Sequence, residues 1–196
     1  MKPTTPSPKL PQGAGVVRII GGQWRRTKLP VALKPGLRPT PDRVRETLFN
    51  WLGQSLQGWR CVDAFAGTGA LGLEAASRGA AHVQLCESDA GLVAQLSTQV
   101  ARLKATAVQV QRGDGVAYLK QLASSSVDLV FIDPPFDSGL FDASLQAAAQ
   151  AIQADGFVYL EAPQLWEADA LAALGLNTHR HLKAGSVHAH LLQRIA

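Results

Sequence analysis

Cysteine is scarce in this 196-residue chain, which has only Cys61 and Cys86. Both lie inside apolar runs, neither belongs to a C-x-x-C pair, and nothing beside either would lower its pKa toward a reactive thiolate. They read as two buried thiols of a cytoplasmic protein kept reduced. Long hydrophobic runs are absent: none approaches the roughly 18 apolar residues of a membrane span. The N-terminus, MKPTTPSPKLPQG, lacks the apolar stretch of a secretory signal, and its Pro, Thr and Ser content predicts a disordered tail over 1–15. Acidic residues are few in the first third. Residues 1–60 hold eleven Lys or Arg against Asp42 and Glu46, a balance of +9, while the remainder carries eight basic and thirteen acidic residues, or −5. The net +4 therefore hides a basic N-terminal region that attracts polyanions. Within it Trp24 directly precedes Arg25 and Arg26, and aromatic rings interleaved with cations suit RNA.

What the chain does have is enough apolar residue, 46%, to bury a sizeable core in one domain. VVRIIGGQWRRTKLPVAL (16–33) predicts a hairpin about Gly21–Gly22. After the loop KPGLRPTPD, Thr40 can N-cap a helix with Pro41 at its first position, Val44, Leu48, Trp51 and Leu52 on one face and Arg43, Arg45 and Glu46 mostly elsewhere. From residue 59 strand and helix alternate, with strands WRCVDAF, HVQLCE, TAVQVQR, VDLVFID and GFVYLEA, then a C-terminal antiparallel hairpin about Ala184–Gly185. Repeated βαβ units with apolar strands imply an α/β fold with a mostly parallel sheet and helices on both faces. The expected organisation is a tail over 1–15, a hairpin-and-helix extension over 16–55 and a catalytic domain over 56–196.

DAFAGTGALG (63–72) follows the first of these strands and opens a helix. Gly67 and Gly69 permit a tight turn, and the helix N-terminus offers N–H groups. Glu87 ends the next strand, 20 residues after Gly67, where a carboxylate accepts from ribose hydroxyls. Asp63 precedes the glycines, where it would repel a pyrophosphate and suit a cation. Asp114, after the third strand, can accept from an adenine amine. S-adenosylmethionine has a ribose, an adenine, an ammonium and a sulfonium, and no phosphate. Taken singly, Glu87 reads equally as a surface charge, Asp114 as a helix cap and Asp63 as a turn residue; together they mark one edge of the sheet, where ligands of open α/β sheets bind.

VDLVFIDPPF (127–136) places a carboxylate, two prolines and a ring at the tip of a buried strand. Proline has no N–H, so Asp133 and the Pro134 carbonyl make an acceptor-only pocket, whose natural guest is an –NH₂ group. Phe136 offers a face for a flat base. A rigid turn with a capping Asp is the plainer alternative.

D-P-P-F after a hydrophobic strand resembles the [DNS]-P-P-[YFW] motif of class I amino-methyltransferases. RIIGGQWR, LRPTPDRVRETLFNWL, DAFAGTGALGLEAASRGA and FIDPPF together resemble the bacterial RsmD family over about residues 16–195. The resemblance implies a Rossmann-like fold with seven strands, the last antiparallel, an N-terminal hairpin engaging RNA, and S-adenosylmethionine-dependent methylation of a guanine N2 amine in 16S ribosomal RNA of the small subunit. By the same resemblance Asp63, Phe65, Ala66, Gly67, Thr68 and Gly69 cradle the methionine part, Glu87 the ribose and Asp114 the adenine. Asp133, Pro134, Pro135 and Phe136 form the catalytic segment. Thr40 is placed beside the cofactor, and Arg18, Trp24, Arg25, Arg26, Lys28, Arg38 and Arg43 on the RNA side. A monomer is expected.

His179, His181, His188 and His190 form two H-x-H pairs on the C-terminal hairpin, each with both rings on one face. A zinc site and ordinary cross-strand pairing both fit; pairing is the simpler, and no metal is expected. Rival functions are an amino-methyltransferase acting on DNA adenine or a protein amide, a nicotinamide-dependent oxidoreductase suggested by the glycines alone, and a non-catalytic RNA-binding assembly factor. A cytosine-C5 enzyme would need a Pro-Cys nucleophile, and neither cysteine follows a proline.

Overall fold

A computed structural model describes residues 15–32 and 40–195. The expected tail and Arg38 lie outside these, apart from Gly15 at the tail's end. The chain opens with a hairpin of two three-residue strands, β1 (Val16–Arg18) and β2 (Lys28–Pro30), paired antiparallel with Arg18 opposite Lys28. The helix α1 (Asp42–Leu52) follows. Its N-cap is Pro41, not Thr40, and no side chain caps it; the Thr40 hydroxyl is bonded instead to Glu161.

The remaining elements are β3 (Arg60–Asp63), α2 (Ala70–Ser77), β4 (His82–Glu87), α3 (Ala90–Leu103), β5 (Val108–Arg112), α4 (Gly115–Gln121), β6 (Val127–Ile132), α5 (Phe141–Ala151), β7 (Ile152–Ala162), α6 (Ala168–Ala173), β8 (Leu176–Ala184) and β9 (Val187–Arg194). Seven strands form one sheet in the order β5-β4-β3-β6-β7-β9-β8. The first five are parallel, and β9 runs antiparallel to both neighbours. Strand order reverses on the two sides of β3, so the loops leaving β3 and β6 diverge and open a crevice at the C-terminal edge.

One core cluster joins Ile19, Leu29, Leu48 and Phe49 to Leu73, Leu85, Phe131 and Tyr159. The hairpin and α1 thus share a core with the sheet. A second cluster packs α5 against the other sheet face through Leu145, Ala148, Val130 and Leu160. Both cysteines are buried and free, and burial pushes the Cys86 thiol up to about 12 and the Cys61 thiol further.

The hairpin is fastened to α2 by buried polar groups. Glu74, fully buried, accepts from the N–H groups of Ile20 and Gly21, each at 2.7 Å, and from Arg78 Nε at 2.8 Å. Arg45 Nη1 approaches it to 3.5 Å. Amphipathic reading put Arg45 away from the core, yet it is fully buried, bonded to the Thr40 carbonyl and to Asp42. Gly22, at φ +71°, lies so close to α2 that a Cβ there would fall 1.8 Å from the Ser77 carbonyl oxygen.

Candidate active site

Four carboxylates stand at the C-terminal ends of adjacent strands: Asp63 on β3, Glu87 on β4, Asp133 just past β6 and Glu161 on β7. Asp63 is 2% exposed, and its Oδ2 accepts from the Gly72 N–H at 3.1 Å. Burial raises its pKa to about 7, with the charges of Glu87 and Glu161 adding to the rise. Glu87 is held at both oxygens, Oε2 by Gly67 N–H at 2.9 Å and Oε1 by Asp89 N–H at 2.8 Å. A carboxylate has about four acceptor positions, so this grip aims Glu87 without using it up. The loop between them is tight: Gly67 and Gly69 adopt φ of 51° and 77°, and a Cβ on Gly69 would fall 2.6 Å from Leu96 Cδ2. Phe65 is half-buried, and Ala66 and Thr68 are buried.

Asp114 is the N-cap of α4, its Oδ1 accepting from Val116 at 2.8 Å and Ala117 at 3.3 Å. The cap uses one oxygen and leaves the carboxylate on the same edge of the sheet. Asp133 is half-buried. Burial first, then the charges of Glu161 and Asp63, hold its pKa well above the usual carboxylate range. Pro134 is buried, and Pro135 and Phe136 are exposed. The Pro135 carbonyl accepts from Ser138 N–H at 3.0 Å, whereas the Pro134 carbonyl has no hydrogen-bond partner among the described residues.

Glu161 went unnoticed in the sequence. It is buried, accepts from Tyr159 Oη at 2.8 Å and from the Thr40 side chain, and feels the charge of Arg45. Burial raises its pKa despite these partners. The signal was available: GFVYLEA carries an acid at the end of an otherwise apolar strand, as RCVD, HVQLCE and VDLVFID do. Thr40 therefore sits against a carboxylate that interacts with Asp133, which ties the segment before α1 to the DPPF tip.

The chain is similar to known proteins over nearly all its length. Residues 17–193 match the family described as "Conserved hypothetical protein 95". Ribosomal RNA small subunit methyltransferase D of Escherichia coli is 43% identical over 189 residues, covering 94% of this chain and 93% of that protein. The chain belongs to this RsmD family. The Haemophilus influenzae protein of the same name is 40% identical over 158 residues, covering 78% of this chain and 82% of that protein. Among solved structures, a candidate methyltransferase of Escherichia coli superposes with a TM-score of 0.78 at 38% identity, over 92% of this chain and 98% of that chain. The RsmD family resemblance and the seven-stranded fold expected from it are therefore borne out.

The basic residues are distributed along α2 rather than gathered at the DPPF edge. Val17 and Val31 pack on Ala70 at the start of that helix. Trp24 binds Ser77 Oγ through its backbone N–H, and its half-buried side chain packs against the core. Arg25 and Arg26 project from the same turn, exposed, at the helix end remote from DPPF. Arg18 and Lys28 are exposed cross-strand partners, and Arg43 is exposed on α1.

Proposed function

We propose that this chain transfers a methyl group from S-adenosylmethionine to the exocyclic N2 amine of one guanine in the 16S RNA of the small ribosomal subunit, acting as a cytoplasmic monomer. The observation that carries the cofactor assignment is the acidic edge. Asp63 and Asp133 each titrate far above their ordinary range, and neighbouring carboxylates contribute to both shifts. Such a site favours a cation and disfavours a dinucleotide pyrophosphate. An ammonium placed at Asp63 would draw it to the charged form. Glu87, gripped at both oxygens, suits the two hydroxyls of a ribose, and Asp114 an exocyclic amine. The bound cofactor supplies a methyl group on a positively charged sulfur.

The substrate assignment rests on the DPPF tip and on the family. An aryl amine is a poor nucleophile because its lone pair is delocalised into the ring. Asp133, drawn to its charged form once the cofactor's positive charge is bound, and the Pro134 carbonyl are both acceptors; they hold the two hydrogens of the amine and turn its lone pair out of the ring plane. Positioning of this kind supplies much of the rate. Asp133 then takes the released proton. Phe136, 41% exposed, offers its ring to a base that has been turned out of its stack.

The test uses labelled S-adenosylmethionine with small subunits from a strain lacking this protein, and naked 16S RNA in parallel. The expected product is N2-methylguanosine at a single site. Methyl transfer to adenine or to protein would refute the substrate, and tight NAD binding without S-adenosylmethionine binding would refute the cofactor.

A further inference from the structure

Three histidines stand outside the site described above. His181 on β8 and His190 on β9 are direct cross-strand partners, and His188 lies two residues before His190, on the same face. Nε2 of His181 and Nδ1 of His188 are 3.0 Å apart. One ring nitrogen from each of the three lies within 4.8 Å of the others. His190 is fully buried, and its Nδ1 makes no hydrogen bond. Its Nε2 has a single long contact, 3.3 Å from the Trp166 N–H. Simple strand pairing does not call for a buried imidazole so poorly satisfied; an apolar side chain would serve better there.

The one lone pair of neutral His190 is only weakly engaged, because Nδ1 has no partner and the Trp166 N–H stands 3.3 Å from Nε2. An ion takes that lone pair in place of the long Trp166 contact. His181 and His188 place two ring nitrogens around one shared proton, the position an ion would take.

We propose that His181, His188 and His190 form a three-imidazole site for a divalent late first-row metal ion, foremost Zn²⁺, with solvent as the fourth ligand. A Zn–N distance of about 2.0–2.1 Å sets neighbouring ligand nitrogens roughly 3.4 Å apart in a tetrahedron. The His181–His188 pair is near that spacing, and torsions of exposed His181 and half-buried His188 bring the pair onto buried His190. Imidazoles without thiolate or carboxylate suit zinc, copper and nickel rather than magnesium or calcium. The site is structural in position. His190 pairs with Leu160 and His188 with Ala162, flanking Glu161, and Trp166 packs against Phe141 at the start of α5. A bound ion would fasten the β8–β9 hairpin beside the catalytic edge.

The experiment uses tag-free full-length protein, stripped with chelator and titrated with Zn²⁺ by calorimetry. Co²⁺ absorbance serves as a probe of tetrahedral geometry. The expected result is one Zn²⁺ per chain, a rise in melting temperature with Zn²⁺, and affinity reduced more than about tenfold in His181→Ala and in His188→Ala. These variants leave buried His190 in place, and unliganded melting curves matching the wild type would show that they fold. No Zn²⁺ binding by the stripped wild type, or undiminished binding by the folded double variant, overturns the proposal.

Discussion

Asp63→Asn should stabilise the ligand-free protein at alkaline pH while abolishing cofactor binding. Asp63 is 2% exposed, and its pKa rises from 3.8 to about 7. A group whose folded pKa is raised binds its proton more tightly in the folded state. Its stabilisation is therefore complete below about pH 4 and is lost as pH climbs through 7. The rise from 3.8 to about 7 corresponds to about 4 kcal/mol. Asparagine is always neutral and keeps an oxygen acceptor for Gly72, but it loses one of the two backbone bonds, to Gly72 and Phe65, that the carboxylate accepts. That loss is worth about 1 kcal/mol.

The net gain at pH 8 should be roughly 2–3 kcal/mol, or about 4–12 °C for a chain of this size. At pH 5 the variant should match the wild type or melt slightly lower. Melting of both proteins across pH 4–9 without ligand, with cofactor binding followed by calorimetry, reads both effects. Equal destabilisation of Asp63→Asn at pH 5 and pH 8 would refute the reasoning, because Asp63 would then be an ordinary structural acceptor. In the wild type, cofactor affinity should rise as pH climbs through 7, as Asp63 becomes charged without the ligand's help.

Asp133→Ala should lower turnover by roughly 10²–10⁴-fold with cofactor affinity nearly unchanged; a large loss of cofactor binding in calorimetry would contradict its role. Phe136→Ala should leave the melting temperature alone, because the ring is 41% exposed, and should lower kcat/KM through about 1–3 kcal/mol of lost stacking. Glu74→Ala should cost about 3–5 kcal/mol in urea denaturation, since it strands buried Arg45 and Arg78 and two hairpin N–H groups. Neutralising Arg18 and Lys28 together should weaken RNA binding and reduce the slope of log affinity against log salt by about 1.4, measured by filter binding; an unchanged slope would remove the hairpin from the RNA interface.

The sheet was legible because period and punctuation agreed: β4 spans HVQLCE as read, and the glycine loop between β3 and α2 adopts the positive φ values that glycine permits. Asp63, Glu87 and Asp133 were legible because a charge ending an apolar run has few structural reasons to be there. What was missed shares one cause, burial of a charge by a partner far along the chain. Arg45 occupies an ordinary position in an amphipathic helix, and only Glu74, on another helix, explains why it is buried. Glu161 carried the same strand-tip signal as the other acids; what its own segment does not show is its burial against Thr40 and Arg45, from α1 and the residues before it. Thr40 was read as a helix cap by local rule, and a tertiary bond to Glu161 overrode that rule.

The same long-range bonds decide what the basic hairpin can do. Glu74 and Ser77 clamp its turn to the C-terminal half of α2, whereas the DPPF tip lies at the sheet edge where α2 begins. An eight-residue helix is about 12 Å long, so Arg25 and Arg26 stand roughly that far from the start of the catalytic edge. On the proposed function, cations so placed are set back from the base to be modified. They can hold phosphates a few nucleotides away, which fixes the register of the strand without reading its sequence. The base itself is, on the proposed function, left to Asp133, Pro134 and Phe136. Thr40 joins α1 to the strand tips: it directly precedes Pro41, the N-cap of that helix, and meets Glu161, whose charge bears on Asp133. On the proposed function, an RNA contact that moves Thr40 would therefore also alter the acidity of the carboxylate assigned to the amine.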